Sequence, residues 1–278
     1  MKKSTRTNLG KTISYVLLTA LSIIVAFPII WLLFTSLKTY PEIYDFPITY
    51  FPREITFEHF GEIAGTSFFK NFLNSIIVSS GTAIMSLILG IFPAYAFSKY
   101  SFKLKRPMLV IILLLQMSPM VAFLVPMFSL LRNVGILDTY FGLIVSYLPF
   151  TAPITVVFLR SFFAGIPKEI EEAAKVDGAS LYQTFVKVIF PITLPGIAAV
   201  GIYAFLFTWK ELMYAMTFMT TQGKQTIPAF LQLFVSQYST RWGPLFAGSL
   251  MATIPPLIMF IVLQRYFIEG LTSGSVKG

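Results

Sequence analysis

Cysteine is absent from this 278-residue chain, and histidine occurs once, at His59. Without cysteine there is no disulfide framework, no thiolate metal site and no cysteine nucleophile. A single histidine excludes the usual histidine-rich metal centres, and with them any Ser-His-Asp triad not built on His59. Charge is scarce as well: Asp, Glu, Lys and Arg make up 12% of residues, about half the share of a soluble domain. The string G-x-x-x-x-G-K followed by Ser or Thr, whose backbone amides would cradle phosphates, does not occur. The chain is therefore expected not to hydrolyse ATP by itself. No short-period repeat or low-complexity stretch is present.

What is abundant is apolar surface. Hydrophobic residues reach 56% and phenylalanine alone occurs 29 times, more than a soluble protein of this size can hide but acceptable to lipid. A transmembrane helix needs roughly 20 mostly apolar residues. Six segments qualify: Ile13 to Leu37, Phe72 to Phe97, Met108 to Leu131, Tyr140 to Leu159, Val188 to Trp209 and Leu245 to Leu263. The first follows a basic stretch (Lys2, Lys3, Arg6, Lys11), but it is too long for a signal-peptide core and lacks a small-residue cleavage site, so it reads as an uncleaved span. Prolines such as Pro28, Pro93, Pro119, Pro149, Pro153, Pro195 and Pro255 fall within spans. Neighbouring helices and water can satisfy the carbonyls they free in a membrane bundle. The expected fold is all-α: residues 1–278 as one polytopic domain.

Basic residues orient the spans. With the N-terminus in the cytoplasm, the inner segments hold Lys2, Lys3, Arg6, Lys11, Lys99, Lys103, Lys105, Arg106, Arg160, Lys168, Lys175, Lys187, Arg265 and Lys277, against Glu169, Glu171, Glu172, Asp177 and Glu269. On the outer side Lys38, Arg53, Lys70, Arg132, Lys210, Lys224 and Arg241 are balanced by as many carboxylates, so the whole formal charge of +9 lies inside. That distribution fits positive-inside insertion with both termini cytoplasmic, and it removes the nucleic-acid reading that a basic chain invites.

The inner loop between spans four and five, about residues 160–187, reads as two short helices. Pro167 suits a first turn, Glu169, Glu171 and Glu172 suit the positive end of the helix dipole, and Gly178 suits a C-terminal stop. Ser180 with Gln183 forms a capping-box pattern opening the second helix. Ile170, Ala173 and Ala174 give the first helix a narrow apolar face of small side chains. Such a face serves equally to cover the helix's own bundle or to let another surface approach closely.

Glu172-Ala173-Ala174 followed after three residues by Gly178, with Asp177 and Ala179 beside it, resembles the EAA loop of bacterial ATP-binding-cassette import permeases. Beyond Gly178, Ile192-Thr193-Leu194-Pro195 matches the pattern's I-x-L-P at a slightly long interval, and Ile189 with Pro191 lies closer. Asn71 to Ser75, and the ending Gln264-Arg265-Tyr266-Phe267 through Gly270-Leu271-Thr272 to Gly278, extend the resemblance to the MalG-like subfamily of carbohydrate importers. The resemblance implies a type I ABC importer permease fold with six spans. It implies a cytoplasmic coupling helix in which Glu172, Ala173, Ala174, Asp177, Gly178 and Ala179 dock on an ATPase. It also implies an ATPase-contacting tail (Gly274, Ser275, Val276, Lys277, Gly278) and an outer loop (Gln222, Gly223, Lys224) reaching a binding protein. The implied partners are a second, MalF-like permease subunit, two copies of a cytoplasmic ATPase subunit that hold ATP and Mg, and an extracytoplasmic solute-binding protein. No cofactor is expected on this chain.

Gln116, Tyr147 and Tyr203 are the candidate pathway residues, since sugar sites combine polar side chains with aromatic faces. Ordinary packing explains any one of them as well. Lys210 and Glu211, at the outer end of span five, read first as interface anchors, and His59 as a solvated side chain. The rival functions are a permease of the same class for a non-sugar solute, a secondary transporter and a membrane-embedded enzyme. A secondary transporter would carry ionisable residues deep in its spans, and none is found there. An enzyme would need a constellation of acids or nucleophiles that the membrane faces lack.

Overall fold

The computed structural model describes residues 2–236 and 238–262. In chain order its α-helices are α1 (Lys2–Ser36), α2 (Tyr40–Ile43), α3 (Glu58–Ala64), α4 (Phe68–Lys99), α5 (Lys105–Met117), α6 (Leu124–Val134), α7 (Tyr140–Ala164), α8 (Lys168–Val176), α9 (Leu181–Thr184), α10 (Phe190–Trp209), α11 (Met213–Phe218), α12 (Ile227–Leu231) and α13 (Trp242–Ala252). Residues 254–262 are helical as well. Among the described residues the β structure is one isolated bridge, Val235 to Thr240. Five stretches are long and apolar enough to cross a bilayer: Lys11–Ser36, Phe68–Lys99, Tyr140–Ala164, Leu181–Trp209 and Trp242–Val262.

The sixth expected span is not one rod. The segment read as Met108 to Leu131 is a bent pair, Lys105–Met117 with Met120–Val134, turned through 96°. Pro119 is the cause. It has no N–H to continue the ladder, and it pushes the residue before it to extended backbone; Ser118 sits at φ −75°, ψ 130°. A short 3-10 turn, Met120–Phe123, restarts the helix. Beside the break the Tyr214 hydroxyl donates to the Met120 carbonyl at 2.9 Å.

Span five also differs from expectation. The capping box at Ser180 opens α9, but nothing stops the helix after Thr184. A π turn, Phe185–Ile189, absorbs the register change and α9 runs directly into α10. The second short helix is thus the first turns of the span. Pro191, the second residue of α10, follows directly on this π turn.

Residues up to 68, together with 231–254, form one compact unit. Within it α13 packs against α1 and α3. Helix α1 is apolar on every side, with Ile13, Val16, Leu17, Ile24 and Phe27 all exposed, as suits a helix surrounded by lipid. His59 is not solvated here but fully buried. Helix α3 turns it to the same inner face as Ile63. Its Nε2 lies 2.8 Å from the Lys38 carbonyl, and its ring stands edge-on to Tyr40. Gly243 makes the room, since a Cβ there would fall onto the imidazole.

Residues 69–230, with 255–262, form the other unit. Lipid tails are as apolar as side chains, so packing fit and interhelical hydrogen bonds hold such helices together. Gly90 on α4 lies so close to α7 that a Cβ would meet Thr155 Cβ at 2.9 Å. One turn away the Ser86 and Thr151 hydroxyls share a 2.5 Å hydrogen bond across the same pair. Gly196 on α10 receives the Phe162 ring of α7. Two apolar clusters fill the ends of this unit: Ala94, Phe97, Leu159, Phe163 and Ile189 near α8, and Val78, Leu143, Tyr147, Tyr214 and Phe218 at the opposite end.

Candidate functional site

The loop that follows α7 is built to present α8. Pro167 takes the N-cap position in extended backbone, and Glu169 and Glu171 occupy the first turn. Gly178 ends the helix at φ +80°. The Ala179 N–H donates to the Ala174 carbonyl at 2.9 Å and the Gly178 N–H to Lys175 at 3.0 Å, the paired bonds of a Schellman cap. At Ser180 both halves of the capping box form. The loop therefore satisfies its own helix ends and leaves one face of α8 for something else.

Ile170 packs half-buried against the bundle, and Ala174 is 8% exposed. Two of the three small apolar residues on the expected docking face thus cover this chain's own core. Glu172, Ala173, Asp177 and Gly178 are exposed, and Ala179 is half-buried. Tyr182 on α9 is 72% exposed, and Val176, 87% exposed and three residues on from Ala173, extends the outward face. It is an apolar ridge flanked by Glu169, Glu172, Lys175 and Asp177.

The inner side of α8 carries an ion pair that charge counting does not reveal. Lys99, the last residue of α4, places its Nζ 2.8 Å from Glu171 Oε1, with the two side chains 8% and 14% exposed. The same Nζ donates to the Ile166 carbonyl at 2.9 Å, and the Tyr95 hydroxyl donates to Glu171 Oε2 at 3.3 Å. Sequence reasoning assigned Lys99 only a share of the inner charge. A lone cation at the end of a long span is a weak signal, because its partner is fixed only by tertiary packing.

At the opposite end of the unit, Gln222–Lys224 forms a 3-10 turn. Asn74 Nδ2 donates to the carbonyls of Gly223 (3.1 Å) and Gln225 (3.0 Å), and Tyr140 Oη donates to Asn74 Oδ1 at 2.7 Å. Asp138 accepts from the Thr220 and Thr221 amides, the Thr221 hydroxyl and Lys224 Nζ. Burial alone would raise the Asp138 carboxyl. The bonds from Thr221 and Lys224 outweigh it and hold the group below its ordinary value. Gln222 is exposed at the tip.

Of the candidate pathway residues, Gln116 is half-buried and donates to the Phe150 carbonyl at 3.2 Å. Tyr147 is fully buried, stacked on Tyr214, with its hydroxyl 2.6 Å from Glu211 Oε2. Tyr203 is 38% exposed. Lys210 is exposed, as an anchor would be. Glu211 is instead half-buried and accepts from the Tyr214 and Ala215 amides at the start of α11. Gly274, Ser275, Val276, Lys277 and Gly278 lie outside the described residues.

The family described as "Binding-protein-dependent transport system inner membrane component" matches residues 86–272. The trehalose transport system permease protein SugB of Mycobacterium tuberculosis is 35% identical, over 90% of this chain and 92% of its own length. The diacetylchitobiose uptake system permease protein DasC of Streptomyces coelicolor is 33% identical, over 91% of this chain and 92% of its own. Among solved structures, a chain of a bacterial ABC transporter involved in the import of the acidic polysaccharide alginate superposes with a TM-score of 0.80 at 24% identity. The match covers 95% of this chain and 98% of that one.

Proposed function

Because the chain belongs to the family of binding-protein-dependent transport system inner membrane components, we propose that it passes a sugar or oligosaccharide across the membrane while a partner ATPase drives the cycle. The chain is a multi-pass membrane permease subunit of an ATP-binding-cassette importer. The carbohydrate assignment draws support from SugB and DasC, named for trehalose transport and diacetylchitobiose uptake. In this reading both termini and α8 face the cytoplasm. Two ATPase subunits carrying ATP and Mg grip α8, a second permease subunit completes the translocation path, and a binding protein delivers the solute to the outer end. The outer turn Gln222–Lys224 meets that binding protein, and the tail from Gly274 to Gly278 reaches the ATPase pair.

One observation carries the reading: α8 is capped at both ends by its own loop and turns an exposed apolar ridge with carboxylates outward. Closure of two ATPases around bound nucleotide would move such a helix as a lever, and the spans attached to it would alternate between inward and outward openings.

Gly178→Asp tests it. Aspartate tolerates left-handed backbone better than most residues, and open space surrounds a Cβ at this position. At φ +80° the new side chain strains the cap by about 1 kcal/mol, too little to unfold the loop, while the docking face gains a charge. With the variant assembled in liposomes beside its partner permease, ATPase and binding protein, both binding-protein-stimulated ATP hydrolysis and solute uptake are expected to be lost while membrane insertion is retained. Full retention of both would sink the docking assignment.

A further inference from the structure

Helix α8 is held to its bundle by little apolar contact. Ala174 is buried and Ile170 half-buried, while the rest of its hydrophobic surface points outward. A helix so loosely seated would rock under a pull without passing that motion on. Its polar attachment is of another kind. Lys99 Nζ binds the Glu171 carboxylate at 2.8 Å and the Ile166 carbonyl at 2.9 Å. Those two points lie on either side of Pro167, so they fix the start of α8 in direction as well as position. Tyr95, one turn earlier on α4, adds a hydroxyl to the other carboxylate oxygen at 3.3 Å. The cation stands at the C-terminal end of α4, where the helix dipole favours positive charge. Both charged side chains are nearly excluded from water, so salt screens the pair little.

We infer that Lys99 and Glu171 are positioning residues that transmit movement of α8 to the transmembrane helix α4. Glu172, the next residue, faces outward. The two adjacent carboxylates point about 100° apart around the helix, so Glu171 reaches the tie while Glu172 stays exposed toward the docking face. The inference rests on the proposal that α8 is the ATPase-docking element.

The test uses the complete transporter in liposomes and reads solute uptake per ATP hydrolysed, alongside the amount of assembled complex. Lys99→Met keeps side-chain length without charge, Glu171→Gln keeps shape and the Tyr95 contact, and Lys99→Arg keeps the charge. In Lys99→Met and Glu171→Gln the ratio should fall by about tenfold, within the range of a coupling free energy, while ATP hydrolysis persists; Lys99→Arg should hold the ratio near that of the parent. If Lys99→Met assembles poorly, Glu171→Gln and Lys99→Arg decide between them. A purely structural role would lower assembly and both activities in proportion and leave the ratio unchanged, which would overturn the tie. So would an equal loss of ratio in Lys99→Arg, since charge would then not be what matters. Ala173→Asp, on the outward face, separates the two ideas. If it retains both activities, the docking proposal falls and this inference with it. If it is inactive while Lys99→Met keeps the ratio, the tie alone falls.

Discussion

At the residue scale, close helix approach concentrates strain and specificity on single positions. Gly90 lies against Thr155, whose Cβ is anchored to the backbone of α7 and cannot swing away. Gly90→Ala must therefore force α4 away from α7, although the same helices share the Ser86–Thr151 hydrogen bond. Overpacking of this kind typically costs about 1–3 kcal/mol, and the variant should melt at a lower temperature in detergent. Thr155→Ala removes the nearest methyl and only an intrahelical hydroxyl bond to the Thr151 carbonyl. The double variant should recover some of the loss. Equal melting temperatures for parent and Gly90→Ala would mean that the helices are free to separate here. His59 illustrates the limit of reading residues singly. A lone histidine in a polar outer segment looks solvated, and only the packing of α3 beneath Gly243 reverses that.

At the element scale, the turn Gln222–Lys224 is clamped by Asp138. This residue adopts φ +58°, a backbone that aspartate and asparagine tolerate better than most. Its carboxyl titrates below the ordinary aspartate value when folded. A depressed carboxyl adds stability that is complete above the unfolded value and lost as pH falls through the folded one. Hydrogen-exchange protection of the Thr220 and Thr221 amides should therefore hold down to about pH 4 and drop below it. Asp138→Asn keeps the backbone and removes the charge. It should show reduced protection already at neutral pH, by roughly fivefold for about 1 kcal/mol of half-exposed charge-assisted bonding, and should lack the acid step. Identical profiles for the two proteins would dismiss the clamp. Elements were legible in the sequence where composition alone decides them, as with the apolar runs and the caps at Gly178 and Ser180. They were illegible where one residue redirects a whole segment. Pro119 turns an apparent span into a bent pair, and the missing stop after Thr184 joins α9 to α10. The loop that carries α8 was legible by the caps that bound its two helices. The face it turns outward was not, because Ile170 and Ala174 suit either side equally until tertiary packing assigns them inward.

At the scale of the whole molecule, the surface is what makes the membrane reading physical. Large apolar side chains are exposed along α1, α4, α5 and residues 254–262, an area water would not tolerate and lipid accepts. The proposed orientation rests on charge, since placing the N-terminus in the cytoplasm assigns the entire excess of +9 to the inner segments of the sequence. The lack of native cysteine makes this directly measurable. Ala173→Cys lies on the exposed face of α8 and Gln222→Cys on the exposed outer turn, and α7 and α10 run between those two ends. A membrane-impermeant maleimide should label Gln222→Cys in intact cells stripped of their outer layers and Ala173→Cys only in everted vesicles. The parent, having no thiol, supplies the blank for both. The reverse pattern would place α8 outside the cell, beyond the reach of any ATPase, and would remove the energy source proposed for this chain.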